Sequence, residues 1–160
     1  MDTNSMLAFP LTSEVAALEG MTLGAHHRAP NGKLYQLVKL DTGTADVDTV
    51  VGAVAYYANS AGTTVTSDIT DSVGDQTSPA GTFLAAGHTD DYYIWILKHG
   101  SATLLGDASG INAGDPLVAH SDDGEVQLMA AGEEDQVIAR ALADGGDTTP
   151  FSVLAITYFP

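Results

Sequence analysis

The sequence predicts an all-β fold: a small single-domain β-barrel or β-sandwich of about 8–10 short strands with an N-terminal arm. Short runs rich in Val, Ile, Leu, Phe and Tyr recur at intervals of roughly ten residues, separated by Gly, Asp, Asn, Ser and Thr. These runs are too short for typical helices, and several alternate apolar and polar residues with the period of a strand. At 160 residues, the chain is long enough for one domain with its own hydrophobic core.

The first 30 residues differ from the rest, so the sequence divides into an N-terminal arm, residues 1–30, and a β-barrel or β-sandwich domain, residues 31–160. The arm carries apolar side chains without a strand period, and one short helical turn is expected at residues 13–18. It either packs on its own domain or reaches a neighbouring molecule. Its candidate contacts with such a neighbour are Met6, Leu7, Phe9 and Leu11.

Turn residues and alternation place the strands. The Pro-Asn-Gly sequence at 30–32 predicts a turn into a strand at 33–40, whose successive side chains take opposite faces. Residues 92–97 form the most apolar run and predict a central strand, followed by a turn at 98–100 and a strand at 101–105. The other strands are predicted at 49–58, 63–73, 82–86, 117–119, 126–130, 136–142 and 151–158.

The charge balance is strongly acidic, with five Lys and Arg against 21 Asp and Glu, a formal net charge of −16 and a pI near 4.1. Duplex binding requires clustered Lys and Arg that displace counterions, so no nucleic-acid partner is expected. Anionic membranes are disfavoured for the same reason. The N-terminus has no basic segment followed by an apolar stretch, and no run of about eighteen apolar residues occurs, so neither export nor a membrane span is expected.

No catalytic motif is recognisable, and the chain is expected not to be an enzyme and to need no cofactor. It has no cysteine, which removes disulfides, thiolate metal sites and cysteine nucleophiles. A Gly-x-Ser-x-Gly elbow is missing. The glycine-containing segment 106–110 lacks the Lys and Ser or Thr of a phosphate-binding loop.

Five histidines suggest a metal hypothesis, whose best candidates are His26 and His27 with His88, Asp90 and Asp91. A small metal-dependent hydrolase using His26, His88 and Asp90 is the enzymatic form of this hypothesis. However, adjacent residues on a strand point to opposite faces, so His26 and His27 cannot easily share one ion. Ordinary loop histidines are the preferred interpretation, and no metal site is predicted.

Two carboxylate clusters offer oxygen ligands suited to calcium. They are Asp122, Asp123 and Glu125, and Glu133, Glu134 and Asp135. Both lie in predicted hairpin loops without the EF-hand pattern, which favours solvated turns. Trp95 with Tyr92 and Tyr93 could form a sugar-binding platform, but packing in the core of a central strand is the favoured interpretation.

Several segments carry a resemblance to a known family through their order along the chain. They are Pro30-Asn31-Gly32 with residues 33–38, Ala85-Ala86-Gly87 followed by residues 92–97 and Gly100, residues 111–118, Gly124 and Val126, residues 137–142 and residues 153–156. In this order, they resemble the small head-decoration or cement proteins of tailed bacteriophages, which stabilise capsids.

This resemblance implies a non-enzymatic β-barrel-like clip on the outer surface of an expanded capsid, made in the host cytoplasm. The implied partners are the major capsid protein and further copies of the chain, with a trimer favoured over a dimer. With the arm as anchor, deletion of residues 1–30 is expected to abolish capsid binding and leave the fold. The alternative is a carbohydrate- or calcium-binding β-module on a virion or cell surface.

Overall fold

Strand pairings close a five-stranded barrel in the computed structural model, which describes residues 10–18, 20–73, 78–107, 110–145 and 151–159. Neighbours around the barrel follow the order β7-β6-β4-β5-β3, and the β3–β7 pairing closes it. The predicted all-β fold of a small single domain is confirmed. The strands are β1 Glu14–Val15, β2 His26–Arg28, β3 Leu34–Asp41, β4 Val54–Tyr57, β5 Thr64–Thr66, β6 Pro79–Phe83, β7 Tyr93–Gly106, β8 Pro116–Ala119, β9 Val126–Leu128, β10 Ala139–Ala141 and β11 Phe151–Tyr158.

The 14-residue strand β7 continues where a turn was predicted at 98–100, so that prediction is wrong. Its first half pairs with β3 and β6, and its second half pairs with β11 along the whole length of β11. Gly100 lies between the halves with φ of +127°, and a Cβ there would lie 2.7 Å from Cγ of Lys33. Glycine therefore lets the strand change direction without ending.

A second ring of pairings uses the second half of β7. It runs through β11, β10, β8 and β9 and returns to β7 by a parallel contact between Gly106 and Val126. The residues that it encloses include the buried Leu104, Leu117 and Val126. β7 is thus shared by both halves of the molecule.

The barrel interior is apolar along most of its length. Val38 and Leu40 of β3 face Ile94 and Ile96 of β7, and all four side chains are fully buried together with Phe83. Fully burying each such side chain is worth roughly 1.5–3 kcal/mol.

Polar groups occupy the barrel where this apolar series ends. The buried Lys98 ammonium donates a 2.7 Å hydrogen bond to the Tyr57 hydroxyl, which in turn donates to Oε1 of Gln36 at 3.1 Å. Gln36 Nε2 donates to the carbonyl of Gly62 at 3.0 Å. Burial lowers the pKa of Lys98, because water that would solvate the ammonium is largely excluded.

Residues from the predicted arm join the sheet. Glu14 and Val15 pair with Ile94 and Tyr93, so a strand stands where a helical turn was predicted at 13–18. β2 forms a hairpin with β3, and the predicted turn at 30–32 is confirmed by Gly32, whose φ is +84°. The described part of the chain has two short 3-10 helices, Ile69–Asp71 and Glu134–Gln136. None of its helices has the length and hydropathy that crossing a membrane would take.

Candidate contact surface

An apolar cluster on the outer face of the barrel lies under the N-terminal segment. Its members are Tyr35, Leu37, Trp95 and Leu97, each at most 6% exposed. Partly buried side chains of the segment pack on this cluster, namely Leu11, Val15, Leu18 and Met21. The structure therefore places Leu11 against the chain's own barrel. Met6, Leu7 and Phe9 lie outside the described residues.

Trp95 belongs to this cluster and is 4% exposed. Its neighbours include His27, whose ring centroid lies 6.2 Å from that of the indole in an edge-on arrangement. A sugar-binding platform needs an accessible aromatic face, and Trp95 does not offer one. The favoured interpretation of Trp95 as a core residue is confirmed.

Glu14 fastens the N-terminal segment to the loop between β6 and β7. Its carboxylate accepts hydrogen bonds from the Thr89 amide at 2.6 Å and the Thr89 hydroxyl at 2.7 Å, and lies 3.3 Å from Nδ1 of the buried His88. Burial alone would raise the pKa of Glu14, but the Thr89 hydrogen bonds and His88 outweigh it and lower the pKa. The folded chain therefore favours the ionised carboxylate.

Glu14→Gln is expected to lower the free energy of unfolding by about 1 kcal/mol at pH 7, because the amide replaces a charged acceptor. A lowered folded-state pKa gives stability that is full above the unfolded pKa and is lost as the pH falls through the folded value. Urea unfolding at pH 7 and pH 3 should show the difference shrinking at pH 3. Asp135→Asn, at an exposed position, is the control, and equal effects at both pH values would contradict the role of Glu14.

A groove opens beside the cluster. It has a volume of about 210 Å³, and its lining includes Leu84, Leu97 and Val51. Val51 is 53% exposed, so this groove presents apolar surface. The N-terminal segment that covers the cluster and the groove beside it together are the candidate contact surface.

The histidines of the metal hypothesis are not brought together. His27 stacks on Tyr35 with ring centroids 6.3 Å apart, whereas His26 is exposed on the same short strand. His88 is buried against Glu14. Among the described residues, no group of three potential metal ligands includes any of these histidines.

The aspartates of that hypothesis have structural partners. Asp90 accepts a 3.0 Å hydrogen bond from the Thr42 amide, and Asp91 forms an ion pair with Lys39 at 2.5 Å. The arrangement proposed for a hydrolase, His26 with His88 and Asp90, has no counterpart in the described part of the chain.

The first carboxylate cluster is divided by the fold. Asp123 accepts a 2.8 Å hydrogen bond from the Ile69 amide and so joins its turn to a 3-10 helix. Asp122 and Glu125 instead approach His120, with carboxylate oxygens 3.7 and 4.0 Å from its Nδ1. The opposite ring nitrogen lies 3.6 Å from Oδ2 of Asp107.

In the second cluster, two carboxylates accept hydrogen bonds from backbone amides of their own turn. Glu133 accepts from the amide of Ala130 at 2.8 Å, and Glu134 accepts from the amide of Gly132 at 3.3 Å. Hydrogen bonds from its own backbone amide and from that of Gly132 lower the pKa of Glu134. This arrangement is that of a turn stabilised by its own side chains.

Comparison with known proteins gives a match in fold among solved structures. No protein-family model matches the chain, and no curated protein matches it. Its structure is similar to the crystal structure of the N base of head fiber gp8.5 of bacteriophage phi29, with a TM-score of 0.54 and 10% sequence identity. The match covers 78% of this chain and 93% of the other. At this identity, the likeness shows a shared fold.

Proposed function

We propose that this chain is a structural protein of a bacteriophage virion, which binds the outer surface of the expanded capsid and stabilises it. The fold shared with the phage head fiber base, over 93% of that domain, is the observation that carries the proposal. The independent resemblance of ordered sequence segments to capsid cement proteins points to the same class. The proposed role is a binding role without a chemical step.

The charge of the chain supports an external position. A net charge of −16 would be repelled by packaged DNA, whereas a protein on the outside of the shell does not meet that DNA. A protein that binds only the assembled, expanded shell stabilises that state by mass action. We propose the major capsid protein as partner and a homo-oligomer, with a trimer favoured, as the bound form.

Quantitative mass spectrometry of virions of the phage that encodes the chain tests this role. A copy number comparable with that of the major capsid protein is expected of a decoration protein. A chain missing from purified virions, or present in only a few copies, would reject capsid decoration and favour a surface-binding module.

The proposed anchor predicts a specific loss of binding. Replacement of Met6, Leu7 and Phe9 by Ser is expected to weaken binding to expanded capsids by at least about a hundredfold, because three apolar contacts of roughly 1–2 kcal/mol are removed. Cosedimentation with capsids lacking the chain measures this affinity.

The matched control changes exposed apolar side chains outside the candidate contact surface, Val73→Ser with Leu142→Ser. This variant should bind as the unchanged chain does. Retained affinity of the triple variant, with affinity lost on Val51→Ser, would move the capsid contact from the N-terminus to the groove.

A further inference from the structure

His120 stands at the centre of a compact group of potential metal ligands. It follows β8, and the hairpin turn returns the chain to Glu125 immediately before β9. A ring nitrogen of His120 and one carboxylate oxygen each of Asp122 and Glu125 lie within 4.8 Å of one another. Within the ranges that the structure describes, it is the only group of three His, Asp or Glu side chains with this property.

The imidazole presents the nitrogen that a metal needs. The Asp122 amide donates a 3.1 Å hydrogen bond to Nδ1, which assigns the lone pair to Nδ1 and the proton to Nε2. Nδ1 is also the atom nearest the carboxylates of Asp122 and Glu125. Nε2 faces Asp107 at 3.6 Å, and a carboxylate on the far nitrogen is the usual outer partner of a metal-bound histidine. An ion at Nδ1 would replace the amide hydrogen bond.

Among the described residues, no basic side chain balances the negative charges of Asp122 and Glu125 beside the His120 ring. In the described parts of the chain, no Lys or Arg lies within ion-pair distance of Asp122 or Glu125. The side chains of His120 and Glu125 are each only 17% exposed, so solvent screens them incompletely. Burial, followed by the charge of Asp122, raises the pKa of Glu125. A divalent cation would offset this repulsion.

The backbone holds two of the three ligands in place. The His120 amide donates to the Glu125 carbonyl at 2.9 Å, which fixes the two side chains across the hairpin. The turn itself is docked on β4, since the Val54 amide donates to the Gly124 carbonyl at 2.8 Å. Gly124 has φ of +74°, and a Cβ there would lie 2.6 Å from that of Ala53. This close approach leaves the hairpin little freedom to open.

The third ligand, Asp122, has an exposed side chain that can move towards an ion. Ligand atoms about 2.0 Å from a tetrahedral ion are roughly 3.3 Å apart, so the His120–Asp122 and His120–Glu125 separations of 3.7 and 4.0 Å must contract by about 0.4 and 0.7 Å, and no pair in the group by more than about 1.5 Å. The Asp122 side chain is 73% exposed and is free to make its part of this movement.

We propose that His120, Asp122 and Glu125 bind a divalent transition-metal ion such as Zn²⁺, with water completing the coordination. An imidazole nitrogen with carboxylates suits zinc, whereas calcium takes oxygen ligands alone. The ion would clamp the β8–β9 hairpin beside the end of β7. This inference does not depend on capsid binding.

Thermal unfolding of the full chain with ZnCl2 or CaCl2 at pH 7.5 tests the site. Zinc at about 100 times its Kd is expected to raise the Tm by roughly 5–10 °C, and calcium at the same concentration should not. His120→Gln should abolish the rise, and Asp122→Asn should weaken zinc binding by about tenfold or more. His26→Gln, at an exposed position on β2, is the matched control and should keep the rise.

Absence of a zinc-dependent rise, or a rise that His120→Gln retains, would overturn the proposal. Imidazole 15N chemical shifts of the unchanged chain give a second answer that does not depend on the folding of any variant. Zinc should shift Nδ1 of His120 selectively. A zinc-induced shift at other histidines with none at His120 would equally overturn the site.

Discussion

Deletion of residues 1–30 is expected to lower the free energy of unfolding by about 4–6 kcal/mol, because four partly buried apolar side chains each contribute roughly 1–1.5 kcal/mol. These side chains are Leu11, Val15, Leu18 and Met21, which pack on the outer cluster. The deletion also removes β1, β2 and the Glu14 carboxylate that binds Thr89. A loss of this size is a large part of the stability of a typical domain.

Urea unfolding of the truncated chain, followed by tryptophan fluorescence, measures this loss, since Trp95 lies in the uncovered cluster. A chain shortened only by residues 1–9 is the comparison, because it keeps Glu14, Val15 and the rest of the described cover. Equal stability of the two truncated chains would contradict a role for residues 10–30 in the fold. Capsid binding is therefore better tested by side-chain replacement within residues 1–9 than by deletion of residues 1–30.

The alternation of side chains between the two faces of β3 could be predicted from the sequence, but the burial of both faces could not. Val38 and Leu40 face the barrel interior, whereas Tyr35 and Leu37 face the outer cluster, and all four are buried. A strand that is buried on both faces needs a covering element. Here that element is the N-terminal segment, whose described apolar residues Leu11, Leu18 and Met21 lie in irregular backbone and so show no strand period.

The predicted turn at 98–100 was wrong for a related reason. A Lys-His-Gly sequence has the composition of a turn, but the tertiary pairings of β7 with β3 and β11 keep it extended. The polar Lys98 lies inside the barrel because Tyr57 provides a hydrogen-bond partner there. Local propensity cannot reveal such a partner, since it lies 41 residues away.

The same limitation hid the candidate metal site. The sequence brought Asp122, Asp123 and Glu125 together as one cluster, but the fold assigns Asp123 to the Ile69 amide and adds His120. His120 is close enough along the chain for its spacing to have suggested a ligand across a hairpin turn. Asp107 gave no such signal, because the parallel contact between Gly106 and Val126 that positions it is non-local.

Tyr57→Phe is expected to lower the free energy of unfolding by about 2–3 kcal/mol at pH 7, because it removes an acceptor from a buried ammonium. Lys98 donates to this hydroxyl at 2.7 Å, and its Nζ lies 5.1 Å from the centre of the Tyr57 ring. The phenyl ring keeps the apolar packing of the tyrosine, so the change isolates the hydroxyl. Gln36 loses a donor to its Oε1 at the same time.

The adjacent Tyr56 provides a matched control with the opposite expectation. Its hydroxyl is fully buried, and among the described residues it makes no hydrogen bond of ordinary geometry. Burial raises the pKa of Tyr56, and the negative charges of Asp123 and Glu125 add to this effect. Tyr56→Phe removes a buried polar group without a partner, so it should leave the stability unchanged or raise it.

The pH dependence distinguishes a lost ammonium contact from a simple loss of packing. Burial lowers the pKa of Lys98 in the folded chain. The loss of folding stability caused by burying the charged ammonium is therefore complete below the folded-state pKa of Lys98. This loss disappears as the pH rises through the pKa that Lys98 has in the unfolded chain. The destabilisation by Tyr57→Phe should therefore be largest at pH 7 and shrink towards pH 10, measured by urea unfolding at both values. A difference that stays constant with pH, or an equal loss in Tyr56→Phe, would show that the Tyr57 hydroxyl does not support the ammonium.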